Sequence, residues 1–249
     1  MPYLSHKQLI PISPSQVVFR YMDFPKYVWM IQNKMLYFPS LEQLASSDPW
    51  EGCHSKLNFQ DQLIYEIPLP GGDNMKWTRP ELSKGALEAR KTIFANCWHM
   101  NDSESDAQWR IYGGYANSLA IVSSGERLSK AIVDEREVYG TQIRYYNPSK
   151  ETTPVGNIFF PATCKRSAFS HECECRLIYW KTVQDDSMEC KGVSIEVNLE
   201  ILIEQVVISP RAEKWFIKTV EDFTTKMGFS FCISQSDLLN PYQNNLITQ

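Results

Sequence analysis

The sequence lacks long apolar stretches and an excess of positive charge. No run approaches the roughly 18 apolar residues that a membrane-spanning helix needs, and residues 1–16 are polar and punctuated by proline, unlike a secretory signal. Lysine and arginine number 25 against 29 aspartates and glutamates, which gives a net charge of −4. This balance disfavours a wide basic surface for nucleic acid but allows a small local basic groove. We therefore expect a soluble cytoplasmic protein with no membrane partner.

Paired cysteines and the common catalytic signatures are also missing. The seven cysteines are odd in number and irregularly spaced, which predicts free thiols in a reducing compartment. His171, Cys173 and Cys175, with Cys164 upstream, suggest zinc but lack the paired C-x-x-C or H-x-x-x-H spacing of structural zinc sites. Thiols packed in a core explain them better, so no metal is expected. No G-x-S-x-G, Walker, H-E-x-x-H or G-x-G-x-x-G motif occurs.

What is present is the composition of an ordinary globular domain. Of the 249 residues, 43% are hydrophobic and 22% are charged, which is enough apolar material for a full core. We expect a single domain over 1–249, with a core of about 17–235, a leader over 1–16 and a tail over 236–249. Predicted strands come in runs flanked by helices, and this order is typical of an α+β fold.

Hydrophobic periodicity and turn residues predict the individual elements. Helices are predicted over 24–33, 81–90, 106–112, 126–133 and 211–227. Strands are predicted over 16–20, 35–38, 92–99, 118–123, 138–146, 172–180, 193–198, 201–209 and 229–233. Residues 68–80, with Gly71-Gly72-Asp73, are predicted to form a loop.

The predicted strand over 172–180 carries the strongest functional pattern. Alternation would place Glu172, Glu174 and Arg176 on one face. Two like charges on one face repel, and Arg176 relieves part of the repulsion by pairing with Glu174. Such a trio suits a site where one carboxylate stabilises a cationic sugar while the other positions a nucleophile. The alternative is a solvated edge strand.

Two other charged groups have both a structural and a functional interpretation. Lys165-Arg166 is a basic pair that could bind phosphate or a carboxylate, or be solvated. Asp48 and Glu51 lie with Trp50 in a proline-containing turn, where Asp48 could simply cap the chain.

Aromatic and hydroxyl side chains add further candidates. Trp109 and Tyr112 are three residues apart on a predicted helix and are expected to share a face, as a core pair or a stacking platform. Ser123 and Ser124 end an apolar strand, where a hydroxyl could cap the next helix. Ser40 could cap the turn that follows it in the same way.

Several of these segments, in this order, resemble a bacterial family catalogued as domain of unknown function twenty-nine seventy-one. The resemblance spans roughly residues 17–235. It is carried by Arg20-Tyr21, Leu36-Tyr37-Phe38-Pro39-Ser40, Asp48-Pro49-Trp50-Glu51, Trp109-Arg110-Ile111-Tyr112, Leu119-Ala120-Ile121-Val122-Ser123-Ser124, Lys165-Arg166 with Phe169, and Glu172-Cys173-Glu174-Cys175-Arg176.

That family pattern is in turn similar to ADP-ribosyltransferases of the R-S-E kind. The similarity implies an ADP-ribosyltransferase-like split β-sheet core with flanking helices. Glu172-Cys173-Glu174 would be the E-x-E pair and Arg20 the arginine. Ser123 would be the site serine, although Ser-Ser-Gly stands in place of S-T-S, and Ser40 is its rival.

The same similarity implies roles around NAD as a substrate. Glu174 would hold the nicotinamide ribose and stabilise the oxocarbenium-like sugar, and Glu172 would orient the acceptor. Arg20 would contact NAD phosphate or ribose, and Trp109 or Tyr112 would pack against nicotinamide. Arg166 is also counted among the residues expected to bind NAD.

The leading hypothesis is an NAD-dependent ADP-ribosyltransferase, acting as an intracellular toxin or phage-defence effector on a nucleic acid or a protein, with an antitoxin or inhibitory partner. An NAD glycohydrolase is one alternative, and a non-catalytic module that binds a nucleotide or partner is another. A metal-dependent phosphodiesterase or nuclease built on Asp48, Glu51, Glu172 and Glu174 ranks last.

Overall fold

The α+β chain divides into two compact units, each assembled from three separate segments. Residues 1–12, 37–97 and 135–195 form the first unit, and residues 13–36, 98–134 and 196–249 form the second. The computed structural model describes residues 2–60, 64–68, 74–114, 116–181 and 191–240. The expectation of a single domain over 1–249 stays a prediction. None of the described helices is long and apolar enough to cross a membrane.

The first unit contains a mixed set of neighbouring strands. Tyr3–Leu4 runs parallel to Val138–Gln142, which pairs antiparallel with Glu174–Trp180. The strand Ile93–Met100 begins in this unit beside Glu174–Trp180. Smaller pairs are Arg144–Tyr146 with Cys164–Arg166, Ile64–Pro68 with Asn74–Thr78, and Met35–Pro39 with Gly192–Glu196.

Helices of the first unit pack an apolar core against these strands. They are Leu41–Leu44, Arg79–Thr92 and Phe160–Thr163, with 3₁₀ turns at Lys56–Phe59 and Ser167–Glu172. The helix Arg79–Thr92 begins where the Thr78 backbone N–H donates to the Glu81 carboxylate over 2.7 Å. The core contains Leu9, Leu41, Ala89, Ile93, Ala95, Phe159, Ala162 and Ile178.

The second unit is organised around the strand Val17–Asp23. This strand pairs antiparallel with Ser118–Ser124 and with the end of Ile93–Met100. Ser118–Ser124 pairs antiparallel with Gln205–Ile208, which runs parallel to Cys232–Gln235. The helices are Phe24–Asn33, Asp106–Tyr112, Gly125–Ala131, Leu199–Leu202 and Lys214–Lys226. Phe19, Tyr21, Trp109, Ala120 and Val207 form an apolar cluster.

The strands predicted over 138–146 and 201–209 are wrong in extent. The strand predicted over 138–146 is interrupted at Ile143, because Arg144–Tyr146 pairs with Cys164–Arg166 instead of continuing along Glu174–Trp180. The strand predicted over 201–209 starts only at Gln205. A helical turn precedes it, because the Asn198 side chain accepts the backbone N–H groups of Glu200 and Ile201.

Two further predictions need correction near loops. The loop predicted over 68–80 contains the strand Asn74–Thr78, which pairs with Ile64–Pro68, and residues 69–73 lie outside the described residues. The last strand is Cys232–Gln235 rather than 229–233, in register with Gln205–Ile208.

Candidate functional site

The strand that carries the E-x-E pattern begins two residues later than predicted. Glu172 is the last residue of the 3₁₀ turn Ser167–Glu172, and the strand starts at Glu174. Between them Cys173 has left-handed backbone angles, φ 39° and ψ 53°. A left-handed residue breaks the pleat, so strand alternation does not place Glu172. The predicted shared strand face is therefore correct only for Glu174 and Arg176.

The two glutamates nevertheless meet, at the ammonium group of Lys165. Lys165 Nζ donates to Glu172 Oε2, and it lies 3.4 Å from Glu174 Oε2. The three side chains are 10%, 11% and 6% exposed for Lys165, Glu172 and Glu174. The mutual repulsion of the carboxylates is thus offset by a cation supplied from the strand Cys164–Arg166.

Arg176 is the second cation of this cluster, and every N–H donor of its guanidinium is used. Nε and Nη2 donate to the two oxygens of Glu174 over 2.7 and 3.1 Å. Nη1 and Nη2 donate to the two oxygens of Glu51 over 2.6 and 2.9 Å. Nη1 also donates to the Ala162 carbonyl over 2.8 Å. The predicted pairing of Arg176 with Glu174 is confirmed, and the buried charge is fully hydrogen-bonded.

These contacts fix the charge of Glu174. Burial acts to raise the pKa of its carboxyl, but the charges of Arg176 and Lys165 outweigh burial and lower the pKa to about 2. Burial likewise opposes the positive charge of Lys165, and the carboxylate of Glu174 nevertheless raises the pKa of that ammonium group. Glu174 is therefore a buried carboxylate that stays ionised at neutral pH.

The turn around Trp50 connects a second ion pair to this cluster. Asp48 Oδ1 accepts from Arg166 Nη2 over 2.8 Å and from the Trp50 backbone N–H over 3.1 Å. Glu51, three residues on, holds Arg176. From the other side, Arg90 donates to the carbonyls of residues 49 and 51, over 2.6 Å in each case. Both carboxylates of this turn are thus held in place by contacts with arginine.

Glycine is required at the end of the same turn. Gly52 has φ 69°, in the left-handed region. A Cβ atom there would also lie 3.0 Å from Cγ of Arg90, the residue that holds the turn. A side chain at position 52 would therefore strain the backbone that presents Asp48 and Glu51.

The basic pair Lys165-Arg166 binds carboxylates on both of its residues. Lys165 contacts Glu172 and Glu174, and Arg166 contacts Asp48. Ser40, also in the first unit, caps the helix Leu41–Leu44: its Oγ accepts from the Gln43 backbone N–H over 3.1 Å, as predicted for a cap. Its role as a site serine stays a prediction.

Arg20 and Ser123 lie in the second unit. The Arg20 guanidinium lies over the Trp98 ring, 5.8 Å from the ring centroid. Ser123 is buried, and its hydroxyl donates to the Leu202 carbonyl over 2.6 Å. Ser124 rather than Ser123 caps the next helix, accepting from the Arg127 backbone N–H. The expected NAD contacts of Arg20 and Ser123 stay predictions.

Trp109 and Tyr112, in the second unit, do not share an environment. Trp109 is fully buried, with its ring edge-to-face against Tyr21 at 4.9 Å and its indole N–H donating to Glu104. Tyr112 is 46% exposed. The two side chains therefore do not form a core pair, because only Trp109 is buried. Trp109 has the packing role of a core residue.

Sequence reasoning missed the pairing of Glu51 with Arg176. The two residues are 125 positions apart, and no local spacing rule connects them. The available signal was the turn itself, which carries two carboxylates without a local basic partner. Within the described ranges no group of three or more His, Cys, Asp or Glu side chains is arranged to hold a metal. Cys175 is buried whereas Cys173 is exposed, which does not fit the zinc interpretation.

Comparison with known proteins gives matches only at the level of structure. No protein-family model and no curated protein sequence matches the chain. The structure is similar to that of Thermus sp. 2.9 DarT in complex with NAD+, with a TM-score of 0.39 and 11% identity over 91% of this chain and 97% of the other. The same DarT in complex with ADP-ribosylated ssDNA gives a TM-score of 0.41 and 9% identity over 92% and 98%.

These TM-scores and identities are low. The functional interpretation therefore rests on the residues of this chain. The resemblance to domain of unknown function twenty-nine seventy-one stays a resemblance, since no family model matches.

Proposed function

We propose that the chain is an NAD-dependent ADP-ribosyltransferase in which Glu174 is the catalytic carboxylate. The observation that carries the proposal is the buried carboxylate of Glu174, which accepts two hydrogen bonds from Arg176 and lies 3.4 Å from Lys165 Nζ. These two cations lower its pKa to about 2 against the effect of burial. A preorganised negative charge away from water stabilises a developing cation more strongly than the same charge in solvent. The cation of this reaction is the ribosyl oxocarbenium ion.

The proposed step breaks the bond between nicotinamide and the ribose C1′. The bonding electron pair leaves with nicotinamide, and the cationic sugar next to Glu174 accepts an electron pair from the acceptor. The acceptor loses one proton, which Glu172 takes up once Lys165 has moved. Arg176 keeps both hydrogen bonds to Glu174. Lys165, whose Nζ lies 3.4 Å from Glu174 Oε2, is displaced by ribose hydroxyls.

The remaining substrate contacts are part of the same proposal. Arg166 would meet NAD phosphate or ribose, and the NAD contacts expected of Arg20, Tyr112 and Trp109 stay predictions. Either Ser40 or Ser123 would be the site serine, and each would have to exchange its present hydrogen bond to act. In this reaction NAD is a substrate.

The proposed acceptor is a nucleic acid or a protein. In the cell the enzyme would act in the cytoplasm as a toxin or a phage-defence effector, restrained by an antitoxin or another inhibitory partner. The net charge of −4 favours a protein or a short single strand over long duplex DNA, since duplex binding depends on many cationic contacts.

Labelled NAD tests the proposal directly. The purified chain is incubated with NAD labelled in the ADP-ribose half and, separately, with single-stranded DNA, duplex DNA, RNA or a cell extract, and label on the macromolecule is measured. Glu174→Gln is expected to lower transfer by roughly 100- to 1000-fold, because a neutral isostere does not stabilise the cation. Full activity in that variant, with an unchanged circular dichroism spectrum, would sink the proposal.

Hydrolysis of NAD by water is the second candidate. The low exposure of the Glu172 side chain, 11%, favours it, because water reaches a nearly buried base more easily than a macromolecular acceptor does. The same incubation separates the candidates. Free ADP-ribose without a labelled macromolecule indicates a glycohydrolase, and binding of NAD without turnover indicates a non-catalytic module.

A further inference from the structure

Three side chains of the first unit form a layered arrangement that the catalytic proposal does not use in full. The Arg166 guanidinium carbon lies over the Trp50 ring, 5.7 Å from its centroid, and over the Phe169 ring at 5.4 Å. We call Trp50, Arg166 and Phe169 the Trp50 platform. Lys165 Nζ lies over the same Phe169 ring at 4.9 Å, so the platform adjoins the cation that contacts Glu172 and Glu174.

A buried carboxylate holds the platform together. The Asp48 side chain is 6% exposed, and one of its oxygens accepts from both Arg166 Nη2 and the Trp50 backbone N–H. Burying a carboxylate is unfavourable unless it is paired, and here the pairing holds both the Arg166 guanidinium and the Trp50 backbone. Surface arginines that stack by chance have no such common anchor, so this arrangement is preorganised.

The platform retains surface and hydrogen-bonding capacity for a ligand. Trp50 is 40% exposed, and the Arg166 side chain is 28% exposed. Arg166 donates only through Nη2 to the described residues, so Nη1 keeps its N–H groups for a ligand. The unpaired Nε is buried and is not counted as a ligand contact. A guanidinium with unused donors beside an exposed indole matches the two parts of a nucleotide, a flat base and a phosphate.

We propose that the Trp50 platform is a nucleotide-binding site, in which a base stacks on Trp50 and its phosphate accepts a hydrogen bond from Arg166. The inference rests on the proposed function, because the site adjoins the Glu172–Glu174 pair. The nucleotide comes either from the adenylate half of NAD or from an unpaired residue of a nucleic-acid acceptor. Since Asp48 already neutralises Arg166, stacking supplies most of the affinity and the phosphate contact orients the ligand.

Binding measurements on the full chain carrying Glu174→Gln test the proposal without any turnover. Calorimetric titrations use AMP, nicotinamide mononucleotide and a short oligothymidylate as probes. Trp50→Ala is expected to weaken binding of AMP or of the oligothymidylate by about 5- to 100-fold, the range for loss of one aromatic stacking partner. Trp50→Phe keeps a ring and is expected to retain most of the affinity. Nicotinamide mononucleotide, the half of NAD that would lie at Glu174, should be unaffected, and a loss confined to this probe would overturn the assignment.

Trp180→Ala is the matched control. Trp180 is also 40% exposed and lies in the first unit, but its ring contact is with Phe159 rather than with a cation. The Trp180→Ala variant should bind every probe with the affinity of the parent. If Trp50→Ala weakens binding of AMP alone, the site belongs to NAD. If it weakens binding of oligothymidylate alone, the site belongs to the acceptor strand. Weaker binding of both probes also supports the proposed site.

Arg166→Lys tests the second half of the site. Lysine keeps the charge opposite Asp48 but loses the plane that stacks on both rings and the fixed donors. We expect Arg166→Lys to weaken binding of the same probe that Trp50→Ala affects. The proposal is overturned if Trp50→Ala and Arg166→Lys bind all probes as tightly as Trp180→Ala. Absence of ADP-ribosyl transfer in the parent chain, with Trp50-dependent binding intact, would instead defeat only the transferase proposal.

Discussion

At the scale of single residues, the most unusual feature is a buried group of five charges. Arg176 and Lys165 lie among Glu51, Glu172 and Glu174, and the pairs are almost entirely withdrawn from solvent. Such a group stabilises the folded state only weakly, because the attraction between the charges offsets the cost of removing them from water. Removing one member is different, because its partners then stay buried without compensation.

Replacing Arg176 should therefore destabilise the protein strongly. We expect Arg176→Gln to lower the free energy of unfolding by about 3–5 kcal/mol, since Glu51 and Glu174 both lose their main partner. Urea denaturation followed by circular dichroism measures the change. Lys130→Gln removes an exposed ion pair with Glu126 and should leave the free energy of unfolding close to that of the parent. Equal effects of the two substitutions would contradict this account.

Glu174 should make unfolding depend on pH in the acid range. Its folded pKa of about 2 lies below the ordinary value of 4.5, so the unfolded chain takes up the proton first. The stability contributed by the ionised carboxylate is complete above about pH 4.5 and is lost as the pH falls towards about 2. Urea midpoints should decline over this window more steeply in the parent than in Glu174→Gln. Parallel curves would show that the carboxyl is not held ionised by its neighbours.

At the scale of elements, His54 joins two distant loops. Its Nδ1 lies 3.0 Å from the hydroxyl of Thr153, whose backbone N–H and carbonyl are both bound by the Asn58 side chain. The ring is buried, and burial lowers the pKa of His54 to about 4. Burial therefore favours the neutral imidazole in this loop contact.

Acid should weaken this contact at higher pH than it affects Glu174. The folded pKa of His54 is below its ordinary value of 6.5, so the unfolded chain binds the proton more tightly. The stability contributed by neutral His54 is complete above about pH 6.5 and is lost as the pH falls towards about 4. Glutamine does not titrate, so in His54→Gln the urea midpoint should change less with pH between these two values than it does in the parent. A slope unchanged from that of the parent would contradict the assignment.

The elements show which parts of the fold can be predicted from sequence. The helices Phe24–Asn33 and Asp106–Tyr112 match their predicted bounds, because caps are local: the Asp23 side chain accepts from the Lys26 backbone N–H. The break at Ile143 was not predictable, because it depends on which distant strand each half joins.

The same rule applies to the candidate site. Glu174 and Arg176 are two residues apart in one strand, and their pairing follows from alternation. Asp48 with Arg166 and Glu51 with Arg176 are 118 and 125 residues apart, and only the tertiary fold brings them together. The Glu172–Glu174 pair was predicted for the wrong reason. The two carboxylates meet because both contact Lys165, and not because strand alternation places them on one face.

At the scale of the whole molecule, each unit is interrupted twice along the chain. The first unit needs residues from 1–12, 37–97 and 135–195, and the second is divided in the same way. No single cut in the sequence separates one complete unit from the other. Contacts between distant segments must form before either core is complete, and such topologies fold slowly.

A fragment of residues 1–134 should therefore not fold. It would lack Val138–Gln142, which pairs with Tyr3–Leu4, and Glu174–Trp180, which lies beside Ile93–Met100. It would also lack Gln205–Ile208, which pairs with Ser118–Ser124. We expect no sigmoidal urea transition by circular dichroism, in contrast to the full chain. A cooperative transition in the fragment would show that part of the sequence is an independent folding unit.

The saturated guanidinium of Arg176 has a consequence for which amino acids this position can tolerate. Its five N–H groups meet five oxygen contacts in the interior. Lysine, the usual conservative exchange, has three donors on one atom and would leave at least two of those contacts unmade. No other natural side chain combines the charge, the plane and the donor number. In a saturation library at position 176, every functional variant that is selected should therefore retain arginine.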